Sequence, residues 1–105
     1  MKAYNLSILT PAQRELEEIA MVYLELAGAD SARKILNKIL TSLERLRQYP
    51  LSGTEPRDRT LKKAGYRLII SGKYMAAYRL IGDTVYVYHI AHRASDYPKL
   101  FKEIK

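Results

Sequence analysis

The chain has 105 residues, 48% hydrophobic and 28% charged, with 18 Lys and Arg against 11 Asp and Glu for a net charge of +7. That length supports a single domain, 1–105, burying roughly 65% of its unfolded surface, and the composition is globular rather than disordered. Cysteine is absent, which excludes a disulfide framework, a thiolate zinc site and a cysteine nucleophile and fits a reducing compartment. No apolar run approaches the ~18 residues of a membrane-spanning helix, and residues 1–5 lack the apolar core of a signal peptide. The expectation is a small, soluble, basic protein of the cytoplasm.

Residues 4–9 alternate, with Tyr4, Leu6 and Ile8 against Asn5 and Ser7, which predicts a short strand with one buried face. Thr10-Pro11-Ala12-Gln13 reads as a helix start, Thr10 as the cap and Gln13 closing a T-x-x-Q capping box. Leu16, Ile19, Ala20, Tyr23, Leu24 and Ala27 follow at helical spacing, and Gly28 ends that helix. Asp30 or Ser31 is expected to cap a second helix, whose stripe of Ile35, Leu36, Ile39, Leu40, Leu43 and Leu46 stops before Pro50. The short connection predicts an antiparallel helical hairpin. Residues 50–64, with Pro50, Gly53 and Pro56 among charges, predict an extended connection.

The period then becomes two. Gly65 to Ser71 places Tyr66, Leu68 and Ile70 on one face and Arg67, Ile69 and Ser71 on the other. Turns at Gly72-Lys73 and Gly82-Asp83 separate two further strands, 73–81 and 84–91, rich in Val and Tyr. The tail from Ser95 to Lys105 predicts a short helix with Tyr97, Leu100, Phe101 and Ile104 apolar. The resulting class is α+β: an N-terminal strand, a two-helix antiparallel hairpin, a mostly antiparallel sheet of about four strands and a short C-terminal helix.

The charge is unevenly placed. Residues 1–30 carry two basic and five acidic residues, a balance of −3, and residues 31–105 carry sixteen and six, a balance of +10. The densest stretch holds Arg57, Arg59, Lys62, Lys63, Arg67, Lys73 and Arg79 against Asp58 alone. A positive segment of this kind attracts polyanions, because each neutralised phosphate releases a condensed counterion. Arg57, Arg59, Lys62, Lys63, Lys73 and Arg79 are thus candidate nucleic-acid contacts, the alternative being a solvated basic face.

No phosphate loop, Ser-His-Asp arrangement or zincin motif is present. His89 and His92, three apart near the end of the last strand, make a poor metal pair, so neither a metal nor a cofactor is expected. What remains is Arg67, Lys73, Arg79, His92, Arg93 and Tyr97. Cleavage of RNA by its own 2′-hydroxyl needs a base, cations for the phosphorane charge and a proton donor for the leaving oxygen. His92 suits acid or base work, Arg67 and Arg93 suit a phosphate clamp, and Tyr97 suits base stacking or proton donation. Whether Arg67 and Arg79 share a face depends on strand register. Tyr66, Tyr74, Tyr78, Tyr86 and Tyr88 read first as cross-strand packing.

Taken together, the chain resembles the RelE/ParE superfamily of toxins from bacterial type II toxin-antitoxin systems. The resemblance runs over nearly the whole length. It rests on the strand 4–8, the helix from Ala12 to Tyr23, Leu46-Arg47-Gln48-Tyr49-Pro50 with Gly53, Gly65-Tyr66-Arg67, Tyr74-x-x-x-Tyr78-Arg79, and Ile90-x-His92-Arg93-x-x-Asp96-Tyr97, in that order. It implies a toxin paired with a small antitoxin that wraps it with an acidic or amphipathic segment. It also implies one of two activities: metal-independent cleavage of mRNA on the ribosome, as in RelE-like members, or poisoning of DNA gyrase, as in ParE-like members. Arg67, Arg93 and Tyr97 fall near positions where the ribonucleases use basic and aromatic residues, and the His92-Arg93-Tyr97 cluster tilts the reading towards a ribonuclease. Where those ribonucleases often carry Arg after the tyrosine of the central strand, this chain has Met75, and its long paired helices are ParE-like. A toxin relic that only binds its antitoxin is the third reading.

Overall fold

In a computed structural model, which describes residues 3–102, the order is β1 (Asn5–Ile8), α1 (Thr10–Ala27), α2 (Ala29–Arg45), α3 (Arg59–Lys63), β2 (Arg67–Ser71), β3 (Tyr74–Ile81), β4 (Thr84–His92) and α4 (Pro98–Lys102). The strands form one sheet in the order β1-β4-β3-β2. β2, β3 and β4 are antiparallel neighbours, while β1 lies parallel to β4. The α+β class and the hairpin stand as expected. The parallel β1–β4 pair makes the sheet mixed, possible because the whole helical layer separates the two strands in sequence.

The helical hairpin covers one face of the sheet. Leu16 of α1 and Ile39, Leu43 and Leu46 of α2 and its last turn pack against Ala76, Tyr78, Val85, Val87 and Ile90. Tyr4, Leu6 and Ile8 add the buried face of β1, as alternation predicts. Each fully buried Leu, Ile or Val here contributes about 1.5–3 kcal/mol, so this layer dominates the stability. The α1 stripe outruns the sheet: Leu24 is 45% exposed, alongside Met21, Val22 and Leu26.

Three local expectations are corrected. Thr10 is the first residue of α1 rather than its cap; Leu9 holds the cap position and makes no side-chain bond there. Gln13 instead donates from Nε2 to the Ile8 carbonyl (2.7 Å), tying the helix start to the end of β1. Neither Asp30 nor Ser31 caps α2. Gly28 alone joins the helices at φ +93, a conformation open to a residue without Cβ, and Asp30 pairs with Arg33 within the first turns. Third, the connection 50–64 is not wholly extended. It contains α3, where Asp58 Oδ1 accepts from the Leu61 amide (3.0 Å) and Leu61 is buried. Ile104 lies outside the described residues.

A β-bulge interrupts β3–β4: Ala77 faces His89, but Tyr78 faces Val87. The extra residue puts Tyr88 and His89 together on the sheet face away from the hairpin, while Val87 and Ile90 both join the core. α4 covers that second face. The Phe101 ring meets Tyr66 edge-on at 4.7 Å and His89 at 4.9 Å.

Candidate functional site

Register settles how the candidate residues face. Arg67 of β2 pairs with Tyr78 of β3, so it shares the hairpin face with Tyr78, and Arg79 points to the opposite face. The two arginines do not cooperate. Arg67 turns inward and donates from Nη1 to the carbonyls of Gly53 (2.9 Å) and Leu51 (3.2 Å). Tyr78, fully buried, accepts from the Gly53 amide through its hydroxyl (2.9 Å). Burial holds the Tyr78 phenol above its usual pKa, against the opposing pull of that Gly53 bond and of Arg67. Arg67 thus ties the connection to the sheet.

Arg79 lies between two rings, its guanidinium carbon 4.7 Å from the Tyr66 centroid and 5.0 Å from that of Tyr88. It also donates to the Tyr88 hydroxyl (2.7 Å) and to the Ala64 carbonyl (3.3 Å). Burial raises the Tyr66 pKa, partly offset by Arg79. These rings and Phe101 form a packed cluster under α4, so the packing reading of Tyr66 and Tyr88 holds.

His92 and Arg93 sit at the far end of the sheet. In register, Ser71, Tyr74 and His92 line up across the three antiparallel strands, and Arg67 lies four residues away along β2, about 13 Å. His92 is exposed and meets the Tyr74 ring edge-on at 5.7 Å. Its Nδ1 accepts from the Ala94 amide (3.1 Å), which leaves the neutral imidazole's proton on Nε2. Its carbonyl accepts from the Ser95 hydroxyl (2.7 Å). Arg93 is exposed, and its backbone amide donates to Lys73 O (2.8 Å). Tyr74 is pushed up to about 12 by burial and by the neighbouring Tyr23 hydroxyl. Tyr97 is half-buried just before α4. The structure therefore brings His92 and Arg93 together with Tyr74 and Lys73, and leaves Arg67 and Arg79 elsewhere.

Of the remaining basic candidates, Arg59, Lys62 and Lys63 belong to α3, and Arg57 is exposed just before it. Lys62 approaches Glu55 at 3.9 Å. Met75, only 2% exposed, is a packing residue between Ile70 and Ala91. His89 lies on the opposite face from His92, and its Nδ1 is 3.0 Å from Glu15 Oε2. Glu15 Oε1 accepts from the Ile90 amide (2.8 Å), satisfying the edge of β4 past the end of β1. Glu15 gives no sequence signal, since it stands among other exposed-looking glutamates of α1. No cluster of three or more His, Asp or Glu suited to a metal occurs among the described residues, and none of their helices is long and apolar enough to cross a membrane.

This arrangement of hairpin, mixed sheet and C-terminal helix recurs in chains of solved toxin-antitoxin systems. A chain of the chromosomal ParDE toxin-antitoxin system from P. aeruginosa superposes with a TM-score of 0.73 at 21% identity, covering 86% of this chain and 96% of that one. A chain of the RelBE2 toxin-antitoxin complex from Mycobacterium tuberculosis gives 0.64 at 25% identity, covering 90% and 97%. No curated protein sequence matches. The model of the ParE toxin of the type II toxin-antitoxin system parDE matches residues 6–97, and the chain belongs to that family, within the RelE/ParE superfamily.

Proposed function

We propose that this toxin arrests growth by binding DNA gyrase rather than by cutting mRNA, with a small antitoxin as its cognate partner. One observation carries the reading: the cations that a nuclease would need around one phosphate are dispersed. Arg67 is engaged with the Leu51 and Gly53 carbonyls, and Arg79 is held between Tyr66 and Tyr88. His92 and Arg93 are about 13 Å further along the sheet. A clamp on a developing phosphorane charge depends on donors already aimed at one point. Buried Met75 adds no cation there. Exposed Val22 and Leu26, one turn apart on α1 with Met21 beside them, offer the antitoxin an apolar surface of the kind an amphipathic segment covers.

A ribosome-dependent ribonuclease is the second reading. It is favoured by the exposed His92, with its proton on Nε2, beside Arg93 and with Tyr97 five residues on. The deciding experiment measures gyrase supercoiling and cleavage of mRNA on programmed ribosomes with the same preparation. Inhibited supercoiling with intact mRNA is expected. Cleavage that is lost in Arg67→Ala, His92→Ala and Tyr97→Ala overturns the gyrase reading. Normal growth of cells making the folded, soluble chain without its antitoxin overturns both and leaves the relic.

A further inference from the structure

The α2 helix carries four basic and two acidic residues. Asp30 pairs with Arg33, and Glu44 pairs with Arg47 beyond the helix end. Among the described residues this leaves Lys34, Lys38 and Arg45 of α2 without a carboxylate partner. All three are exposed. Offsets of four and eleven residues put them within about 40° of one another around the axis, in a stripe about 16 Å long. The shallow groove they occupy is lined by Lys34, Asn37, Lys38, Thr41, Ser42 and Arg45. Every lining side chain is a cation, an amide or a hydroxyl.

The stripe is extended from its middle by the β2–β3 turn. The Lys38 ammonium lies against Gly72, 2.8 Å from where a Cβ there would stand. Arg93 Nη1 reaches the Gly72 carbonyl at 3.5 Å, and Lys73 is the next residue. Neither Lys73 nor Arg93 has a carboxylate partner among the described residues. Five cations from α2, the turn and the end of β4 therefore share one surface with no neutralising carboxylate.

We infer that this surface binds the phosphate backbone of duplex DNA, independently of which enzyme the toxin poisons. Lys, Arg, Ser, Thr and Asn are the side chains that contact phosphate and sugar without reading bases. Fixed along one rigid helix, the stripe spans about five phosphates of a strand rising 3.4 Å per nucleotide. A single-stranded ligand is less favoured because no aromatic ring lies along the stripe for successive unstacked bases, Tyr49 standing only in the neighbouring groove beyond Arg45. An acidic protein is less favoured because the groove itself has no apolar anchor of the kind an interface core needs; Tyr49, Ile69 and Ile70 line a neighbouring groove that meets it only at Ser42 and Arg45. The α3 cations Arg59, Lys62 and Lys63 line a separate groove whose wall includes the Glu55 carboxylate, 3.9 Å from Lys62.

Fluorescence anisotropy of the purified full chain with a labelled duplex of about 20 base pairs, over a salt series and without gyrase, tests this. The expected slope of log affinity against log salt is about −4.5, from roughly 0.9 for each of the five cations. The triple variant Lys34→Gln, Lys38→Gln, Arg45→Gln should flatten the slope to about −2 and weaken binding about tenfold or more. The triple variant Arg59→Gln, Lys62→Gln, Lys63→Gln removes the same charge and should leave affinity within about twofold. Circular dichroism and urea unfolding confirm that both variants fold. Equal losses in the two triples overturn the assignment, because net charge alone then explains binding. So does absence of binding at low salt, or displacement of the duplex by single-stranded RNA or polyglutamate at equal charge.

Discussion

The bond between the Tyr78 hydroxyl and the Gly53 amide offers the sharpest test of how this fold is held. Tyr78 is fully buried and Gly53 is buried beside it, with the hydroxyl 2.9 Å from the Gly53 nitrogen. Tyr78→Phe keeps the ring and removes only the acceptor. The Gly53 N–H then has no partner and no route to water, at a cost of about 1–3 kcal/mol. The loop itself stays in place, because Thr54 and Leu68 exchange two backbone bonds (2.9 and 2.8 Å) and Arg67 still holds two carbonyls. Urea unfolding should therefore show a lower midpoint with an unchanged slope, and Tm should fall by roughly 5–15 °C. Gly53→Ala approaches the same point sterically. An added Cβ would lie 2.6 Å from both the Leu68 carbonyl and the Tyr78 hydroxyl. Tyr78→Phe removes the hydroxyl contact, although the ring carbon Cε1 stays 2.8 Å from the added Cβ, so the double variant should be somewhat less destabilised than the sum of the singles. A Tyr78→Phe loss below about 0.5 kcal/mol, or strict additivity with Gly53→Ala, refutes the reasoning.

Other outcomes follow from the same geometry. Tyr66, Tyr74 and Tyr78 have raised pKa values, Tyr74 to about 12, all through burial first. The folded chain then binds more protons than the unfolded one between pH 10 and 12. Stability should be full below pH 10 and fall as pH rises towards 12; a single tyrosinate absorbance step near pH 10 for all nine tyrosines contradicts this. Glu15→Ala strips the partner from the Ile90 amide and from His89 Nδ1 and should cost about 1.5–3 kcal/mol in urea unfolding, since both bonds involve a carboxylate. A loss no larger than that of Glu17→Ala on the same helix counts against it. Asp58→Ala removes the α3 cap and should cost about 1 kcal/mol, with faster hydrogen exchange at the Leu61 amide; unchanged exchange there argues against the cap.

The elements most legible in the sequence are those fixed by local chemistry and periodicity. The α2 stripe, the β1 alternation and the glycine turns at Gly72 and Gly82 each announce themselves within a few residues. The helix caps were less legible because Thr, Asp and Ser near a helix start compete with backbone solutions. Gly28 joins the two helices directly, and Gln13 finds a strand carbonyl instead of its own helix end. The short α3 is hidden by its five-residue length and its charge, with Leu61 its one buried residue.

The candidate site was less legible still, because its geometry depends on pairing between distant residues. Sequence density marks Arg57 to Arg79 as the basic centre of the chain, but pairing divides it. Register turns Arg67 towards the hairpin, the Tyr66 and Tyr88 rings take Arg79, and Glu55 stands by Lys62. Lys34, Lys38 and Arg45 look ordinary in sequence, diluted by Asp30 and Glu44. They become the uncompensated face only once those two carboxylates are matched to Arg33 and Arg47. The net charge of +7 therefore describes how strongly the chain attracts a polyanion, whereas the ion pairs decide where. On this chain they leave the outer stripe of α2, with the turn that Lys38 touches, as a second free positive surface beside Arg57, Arg59 and Lys63 of the connection, unpaired among the described residues, and one that sequence density does not mark.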